Sequence, residues 1–259
     1  MKLTYKSALI TGASAGIGEE FARQLAATGC SLVLVARRAE ALEALADQLR
    51  KTNSIEVEVL AADLCDQTDL LRVAARLADE RNPIDLLVNN AGKDASGELH
   101  QVDLPSALSV VQLNVVALFH LTHVALSFMI PRGTGGILNV SSVAGDVPNP
   151  DSGTYCATKA FVTSLGQSVH YEAKPHGVHV TTLLPGFVKT SMPSASLTDT
   201  LPAFAWVDLS KLVEEAIQAV SNGKVLCIPS VRYKVISSLL QMLPRALVRE
   251  VSSRTRIGQ

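Results

Sequence analysis

The sequence predicts a doubly wound α/β fold, a mostly parallel sheet with helices on both faces. Three observations lead there. Short β-branched or leucine-rich runs alternate with longer helical patterns, the runs are apolar almost throughout, and a glycine-rich turn separates the first run from the first helical stretch. A strand that is apolar on both faces has to be covered on both faces, the normal state of strands in a parallel sheet.

The first strand is Ala8 to Ile10, and Thr11-Gly12-Ala13-Ser14-Ala15-Gly16-Ile17-Gly18 follows it and opens a helix over Glu19 to Ala27. The next strand, Leu32 to Val35, leads to a helical pattern over Arg38 to Arg50. Further strands are expected at Val57 to Leu60, Ile84 to Val88, Ile137 to Val140, Val178 to Leu183 and Val225 to Ile228, seven in all. Right-handed crossovers then place a ligand crevice at the carboxyl ends of the strands. No Pro/Gly/Ser-rich linker divides the 259 residues, so residues 1–259 read as one domain.

Composition narrows the function. With 47% apolar and 18% charged residues the chain can build a large core, and a formal charge of −1 gives no basic stripe for nucleic acid. No uninterrupted run approaches the roughly 18 apolar residues of a membrane span, and no long apolar region of a signal peptide precedes the first strand. Cys30, Cys65, Cys156 and Cys227 are scattered, with no Cys-x-x-Cys and no clustered His, so neither disulfides nor a metal are expected. Reduced thiols in a cytoplasmic protein fit this pattern best.

Glycines between a first strand and a helix let a ligand approach the backbone closely, and the helix N-terminus attracts a pyrophosphate. No Gly-Lys-Ser/Thr follows, so this is not a nucleoside-triphosphate loop. The second strand ends Val35-Ala36-Arg37-Arg38. A carboxylate there would bind ribose hydroxyls and repel a 2′-phosphate, whereas a guanidinium pairs with that phosphate, so NADP(H) is expected over NAD(H). Glu40 and Glu43 are potential competitors for the same cations.

Tyr155 and Lys159 stand four residues apart, on one face of a helix. An ammonium beside a phenol favours the phenolate, so the spacing predicts that Tyr155 has its pKa drawn down from about 10 and acts as general acid or base.

With these motifs in this order, the sequence resembles the short-chain dehydrogenase/reductase family over nearly its whole length. The landmarks are Thr-Gly-x-x-x-Gly-x-Gly at 11–18, Asp63-Leu64, Asn89-Asn90-Ala91-Gly92, Asn114, Ser141-Ser142, Tyr155-x-x-x-Lys159 and Pro185-Gly186. The resemblance implies a Rossmann-like fold, with Asn114, Ser142, Tyr155 and Lys159 as the catalytic set. Ser142 rather than Ser141 is the catalytic serine because it lies 13 positions before Tyr155 (155 − 142 = 13). By the same resemblance Gly12, Ser14, Gly16, Ile17, Gly18, Arg37, Arg38, Asp63, Leu64, Asn90, Ala91, Gly92, Pro185, Gly186, Val188 and Thr190 line the cofactor, as do Tyr155 and Lys159. Asp63 would meet the adenine amino group, Thr190 the carboxamide, Lys159 the nicotinamide ribose, and Asn114 would hold a water. Apart from the resemblance, Asp63 reads equally as the cap of a helix beginning near Asp66.

The implied activity is NADPH-dependent, reversible reduction of a ketone or aldehyde by a homo-dimer or homo-tetramer acting on a small molecule without metal. The alternative is a non-catalytic NADP(H)-binding sensor or scaffold. The sequence departs from the family after Asn-Asn-Ala-Gly, where Lys93 and Asp94 replace an apolar residue. Lys93 reads either as recognition of an anionic substrate group or, slightly preferred, as a surface lysine paired with Asp94. A substrate lid is expected at about 187–210, with Phe187, Met192, Leu197, Leu201, Phe204 and Trp206 as candidate walls. An amphipathic helical segment at about 231–251 is expected to pack on the domain or on a second subunit rather than to touch a membrane surface.

Overall fold

The computed structural model describes residues 5–188, 206–230 and 232–234. Its elements run β1 (Ser7–Thr11), α1 (Gly16–Ala27), β2 (Ser31–Ala36), α2 (Ala39–Asn53), β3 (Val57–Ala61), α3 (Gln67–Leu77) and β4 (Leu86–Asn89). There follow α4 (Leu104–Val111), a π-helical turn (Gln112–Ala117), α5 (Leu118–Arg132), β5 (Gly135–Val140), α6 (Gly153–Ala173) and β6 (Val178–Leu183). The last are β7 (Phe187–Val188), β8 (Trp206–Val207), α7 (Leu209–Ser221) and β9 (Leu226–Cys227). Seven strands form one parallel sheet in the order β3-β2-β1-β4-β5-β6-β9, corresponding to the seven runs expected from the sequence.

Within β1 the side chains alternate between two cores. Ala8 and Ile10 join Phe21, Leu25, Leu42, Leu49, Val213 and Ile217 on the face covered by α1, α2 and α7. Leu9 joins Leu70, Val73, Leu121, Met129 and Val169 on the face covered by α3, α5 and α6. Both faces being buried is what makes the strands uniformly apolar. The strand order reverses direction between β1 and β4, so the loops after these two strands diverge and leave a crevice at their carboxyl ends.

Several helix starts are fixed by side chains. Asp66, Asp103 and Asp208 accept from the backbone N–H groups of Asp69, Ser106 and Lys211 and cap α3, α4 and α7. Asp66 is therefore the cap of α3; Asp63 accepts instead from the Cys65 N–H at 2.9 Å, in a turn of its own. The start of α1 has no side-chain cap: Ala15 stands there.

One expectation is corrected. The helical stretch Leu104–Arg132 is by length and composition long and apolar enough to cross a membrane. Counting uninterrupted apolar residues missed it, because Ser, Thr, Gln, Asn and His interrupt the run without making it polar. In the fold its inner face, including Leu121, Ala125 and Met129, packs on the sheet. Its outer face carries Leu104, Leu108, Val111, Val116 and Phe119, all exposed.

Thr190, the apolar lid residues at 192, 197, 201 and 204, and all of the C-terminal segment except 232–234 lie outside the described residues. Residues near the two ends of the segment expected as a lid pair as the β7–β8 ribbon, with Phe187 and Trp206 ring centroids 6.3 Å apart. Of the C-terminal segment, Tyr233 accepts from the Phe187 N–H at 3.3 Å and Lys234 pairs with Glu215 at 3.4 Å.

Candidate active site

The glycine turn after β1 needs its glycines. Gly12 and Gly16 have φ of 68° and 59°, in the left-handed region that L side chains rarely adopt. A Cβ on Gly12 would come within 2.8 Å of Asn90 Nδ2, and one on Gly18 would overlap the Gly12 carbonyl. Asn90 holds the turn from the β4 side. Its amide donates to the carbonyls of Thr11 (2.9 Å) and Gly12 (3.3 Å), while the Thr11 hydroxyl accepts from the Asn90 and Ala91 N–H groups at 3.0 Å each. The uncapped α1 N-terminus and the glycines of the turn form a cradle that fits a dinucleotide pyrophosphate.

At the end of β2, Arg38 folds back onto this turn and donates to the Ser14 carbonyl at 2.9 Å and hydroxyl at 3.2 Å. Arg37 is exposed and has no ion pair among the described residues. Neither glutamate competes for these cations, since Glu43 lies 3.7 Å from Arg50 and Glu40 makes no ion pair there. A 2′-phosphate at this rim would meet one free guanidinium and one already tied to the turn. Leu64 is buried beside Asp63 at the end of β3.

Across the crevice, α6 brings Tyr155 and Lys159 to the carboxyl end of β5. The Lys159 side chain is buried, donates to the Val140 carbonyl at 2.8 Å, and places its nitrogen 5.6 Å from the Tyr155 ring centre. Ser141 and Ser142 separate in role. The Ser141 hydroxyl is buried and held by the Lys159 carbonyl (2.8 Å) and the Thr163 hydroxyl (2.7 Å), whereas Ser142 accepts from the Ala144 N–H at 3.1 Å and hydrogen-bonds with the Tyr155 phenol. Beyond them the Val143 N–H donates to the Pro185 carbonyl, bringing the Pro185-Gly186 strand end against the serine loop. Val188, two residues on, is buried in the core.

Asn114 sits on the π-helical turn with its amide turned inward. Its Oδ1 accepts from the Lys93 N–H at 3.0 Å, and its Nδ2 donates to the Lys93 carbonyl at 2.9 Å and to the Thr158 hydroxyl at 3.1 Å. The Thr158 hydroxyl in turn donates to the Tyr155 carbonyl at 2.7 Å. Asn114 and Lys159 converge at Gly92, where an added Cβ would lie 3.4 Å from Asn114 Oδ1 and 3.5 Å from Lys159 Nζ.

The electrostatics correct two expectations. Tyr155 is not drawn down: its pKa is pushed up to about 12, above all by burial, with the carboxylate of Asp94 adding to the rise and the Ser142 hydroxyl opposing it. Burial also lowers Lys159 to about 8. Four-residue spacing captured the proximity of the two groups but not their shared burial, which disfavours both charges. Lys93 is not paired with Asp94 either. Its ammonium donates to the Cys65 thiol at 3.6 Å, while Asp94 accepts from the Ala95 N–H (2.7 Å) and the hydroxyls of Ser96 (3.0 Å) and Ser152 (3.3 Å).

Thr158, Cys65 and the Val140 carbonyl were missed by sequence reasoning. Thr158 alone left a signal, a hydroxyl immediately before Lys159. Among the described residues no group of His, Cys, Asp and Glu could hold a metal, and all four cysteines are free. A cleft of about 640 Å³ runs between the loop after β4 and the start of α4, bordered by Lys93, Asp94, Ser96, Gln101, Asp103 and Ser106.

Comparison with known proteins agrees with this geometry. Residues 6–200 match the sequence profile described as short chain dehydrogenase. The fold superposes on a short-chain dehydrogenase from Sphingobium yanoikuyae in complex with NADPH (33% identity, TM-score 0.82, covering 98% of this chain and 97% of that one). It also superposes on the bulky-bulky ketone specific alcohol dehydrogenase from Comamonas testosteroni (33% identity, TM-score 0.80, covering 99% and 96%). A gluconate 5-dehydrogenase from Gluconobacter oxydans is 31% identical over 236 residues, 85% of this chain and 92% of that protein.

Proposed function

Because the chain belongs to the short-chain dehydrogenase family, we propose that it is an NADPH-dependent carbonyl reductase that converts a ketone or aldehyde to an alcohol, reversibly, with Tyr155 as the acid. The observation that carries this reading is the Tyr155 phenol, half-buried, protonated at neutral pH and faced by the Ser142 hydroxyl one helical turn from Lys159. The glycine turn would hold the pyrophosphate of a dinucleotide, whose nicotinamide would supply hydride to the substrate carbon.

The chain's own residues do the rest. Charge grows on the substrate oxygen as the carbon is reduced, and Tyr155 Oη delivers its proton there. The Ser142 hydroxyl, which faces the phenol, donates to the same oxygen. Lys159 Nζ is fixed by Val140 and supplies positive charge near the phenolate that Tyr155 becomes, with hydrogens left for ribose hydroxyls. Asn114 fixes the backbone of Lys93 against α6, which keeps Gly92 close to Lys159.

Support for NADPH over NADH comes from the absence of a carboxylate at the end of β2, from Arg37 and Arg38, and from the NADPH bound to the Sphingobium relative. The outer stripe of α4 and α5, with Phe161 exposed on α6, supports self-association as a dimer or tetramer, which light scattering on the purified chain would measure.

The test is consumption of NADPH and, in parallel, of NADH across a panel of carbonyl compounds, with Tyr155→Phe as the blank. The expected result is turnover with NADPH that the variant abolishes. Tight NADPH binding with no turnover would favour a sensor, and equal use of NADH would remove the role of Arg37.

A further inference from the structure

Two loops flank Tyr155: the one after β4, which runs into α4, and the one after β5, which runs into α6. Their charges are one-sided. From Asp94 to the residue before Lys159 there are five carboxylates, Asp94, Glu98, Asp103, Asp146 and Asp151, and apart from Arg132 at the far end of α5 there is no lysine or arginine. Among the described residues the nearby cations are Lys93, whose ammonium lies at the Cys65 thiol, and Lys159, which donates to the Val140 carbonyl, and neither forms an ion pair with Asp94.

Asp94 is held in place at this mouth. Its carboxylate accepts from the hydroxyl of Ser152, the residue just before α6, three positions before Tyr155, and the Gly97 N–H donates to the Asp151 carbonyl at 2.6 Å. The two loops are thereby laced together beside the phenol. All three partners of Asp94 are neutral donors, and no cation pairs with it among the described residues, so it keeps a full carboxylate charge with no direct counter-ion there. That charge also reaches the phenol, adding to the rise in its pKa.

We propose that Asp94 is a specificity-determining residue, and that the site selects neutral or cationic carbonyl compounds over those carrying a carboxylate or phosphate next to the carbonyl. This rests on the carbonyl-reductase reading and runs against the less favoured of the two sequence readings of Lys93, recognition of an anionic group. One unit charge acting across a partly screened gap of several ångströms changes a rate by roughly five- to tenfold at low salt, and by less as salt rises.

The experiment uses the full chain with NADPH and ketones matched in size that carry a methyl ester, a carboxylate or a quaternary ammonium. Wild type, Asp94→Asn and Asp94→Lys are compared at low and high salt. Because the result is a ratio of kcat/KM values within one preparation, partial misfolding of a variant cancels. The ester is expected to exceed the carboxylate about tenfold in wild type, with the ratio falling about fivefold in Asp94→Asn, further in Asp94→Lys, and also with salt. A carboxylate used as well as the ester by wild type, or a ratio identical in all three proteins, would overturn the role of Asp94 while the carbonyl-reductase reading stands. Failure of wild type to reduce any of the ketones would overturn both.

Discussion

Lys159 Nζ lies 2.8 Å from the Val140 carbonyl oxygen and 5.6 Å from the centre of the Tyr155 ring, so one buried ammonium is shared between a backbone acceptor and the face of the proton-bearing phenol. A lysine held like this is costly to protonate, and its pKa falls from 10.5 to about 8.

The sign of the resulting pH dependence follows by linkage. Below about pH 8 Lys159 is charged in both folded and unfolded chains, and the full penalty of burying the charge is present. Between about 8 and 10.5 only the unfolded chain holds the proton, so stability rises with pH. Tyr155, raised to about 12, acts oppositely above its ordinary value of 10, where the folded chain keeps a proton that the unfolded chain has lost. Thermal melts of the cofactor-free protein from pH 7.5 to 10 are therefore expected to climb relative to Lys159→Met by the equivalent of roughly 2–3 kcal/mol. Parallel curves for the two proteins would contradict the buried, depressed lysine.

Tyr155→Phe should lower kcat by about a thousandfold or more, and Ser142→Ala by about a hundredfold, because one removes the proton and the other only a donor to the developing oxyanion. Since Tyr155 is proton-loaded up to about pH 12, reduction should be well supported at neutral pH and alcohol oxidation should increase toward alkaline pH. Steady-state rates in both directions from pH 6 to 10 measure this.

The Thr158 hydroxyl accepts from Asn114 and donates to the Tyr155 carbonyl, joining the amide to α6. Thr158→Val keeps the shape but leaves a buried Asn114 N–H without one acceptor, at a cost of about 1–3 kcal/mol. The expected outcome is a kcat about tenfold lower with little change in KM for NADPH, restored by Thr158→Ser. A loss that serine does not restore would indicate a packing role alone.

Arg37 and Arg38 should separate under mutation. Arg37 has no partner to lose among the described residues, so Arg37→Ala should raise KM for NADPH about tenfold and leave NADH unchanged. Arg38 also holds Ser14 of the glycine turn, so Arg38→Ala should weaken both cofactors. Titration of each variant with both dinucleotides distinguishes the two outcomes.

Much of the fold was legible in the sequence because burial on both faces leaves strands nearly continuous in apolar residues, as Leu32 to Val35 and Ile137 to Val140 show. The glycine turn was legible because positive φ and close backbone approach admit few residues other than glycine. What escaped depends on distant partners. The Lys93 ammonium meets Cys65, 28 positions away, and the direction of the Tyr155 shift follows from burial that only the assembled α6, β5 and serine loop create. Asp66 and Asp63 are both plausible caps by residue type, and only the φ, ψ path of the loop selects Asp66. The π-helical turn left no trace, since it is set by how Asn114 reaches Lys93 and Thr158 rather than by residue type.

That turn makes chain length itself a functional quantity in this stretch. A loop tolerates a gained or lost residue by changing its path, but losing one residue between Gln112 and Ala117 would return the hydrogen bonds to ordinary spacing and abolish the wide turn on which Asn114 stands, with little change in the phase of the flanking helix. The amide of Asn114 would then lose its alignment with the Lys93 backbone and the Thr158 hydroxyl. A single-residue deletion here should therefore be as disabling as substitution of Asn114 itself, while the outer row of Val116 and Phe119 stays in place.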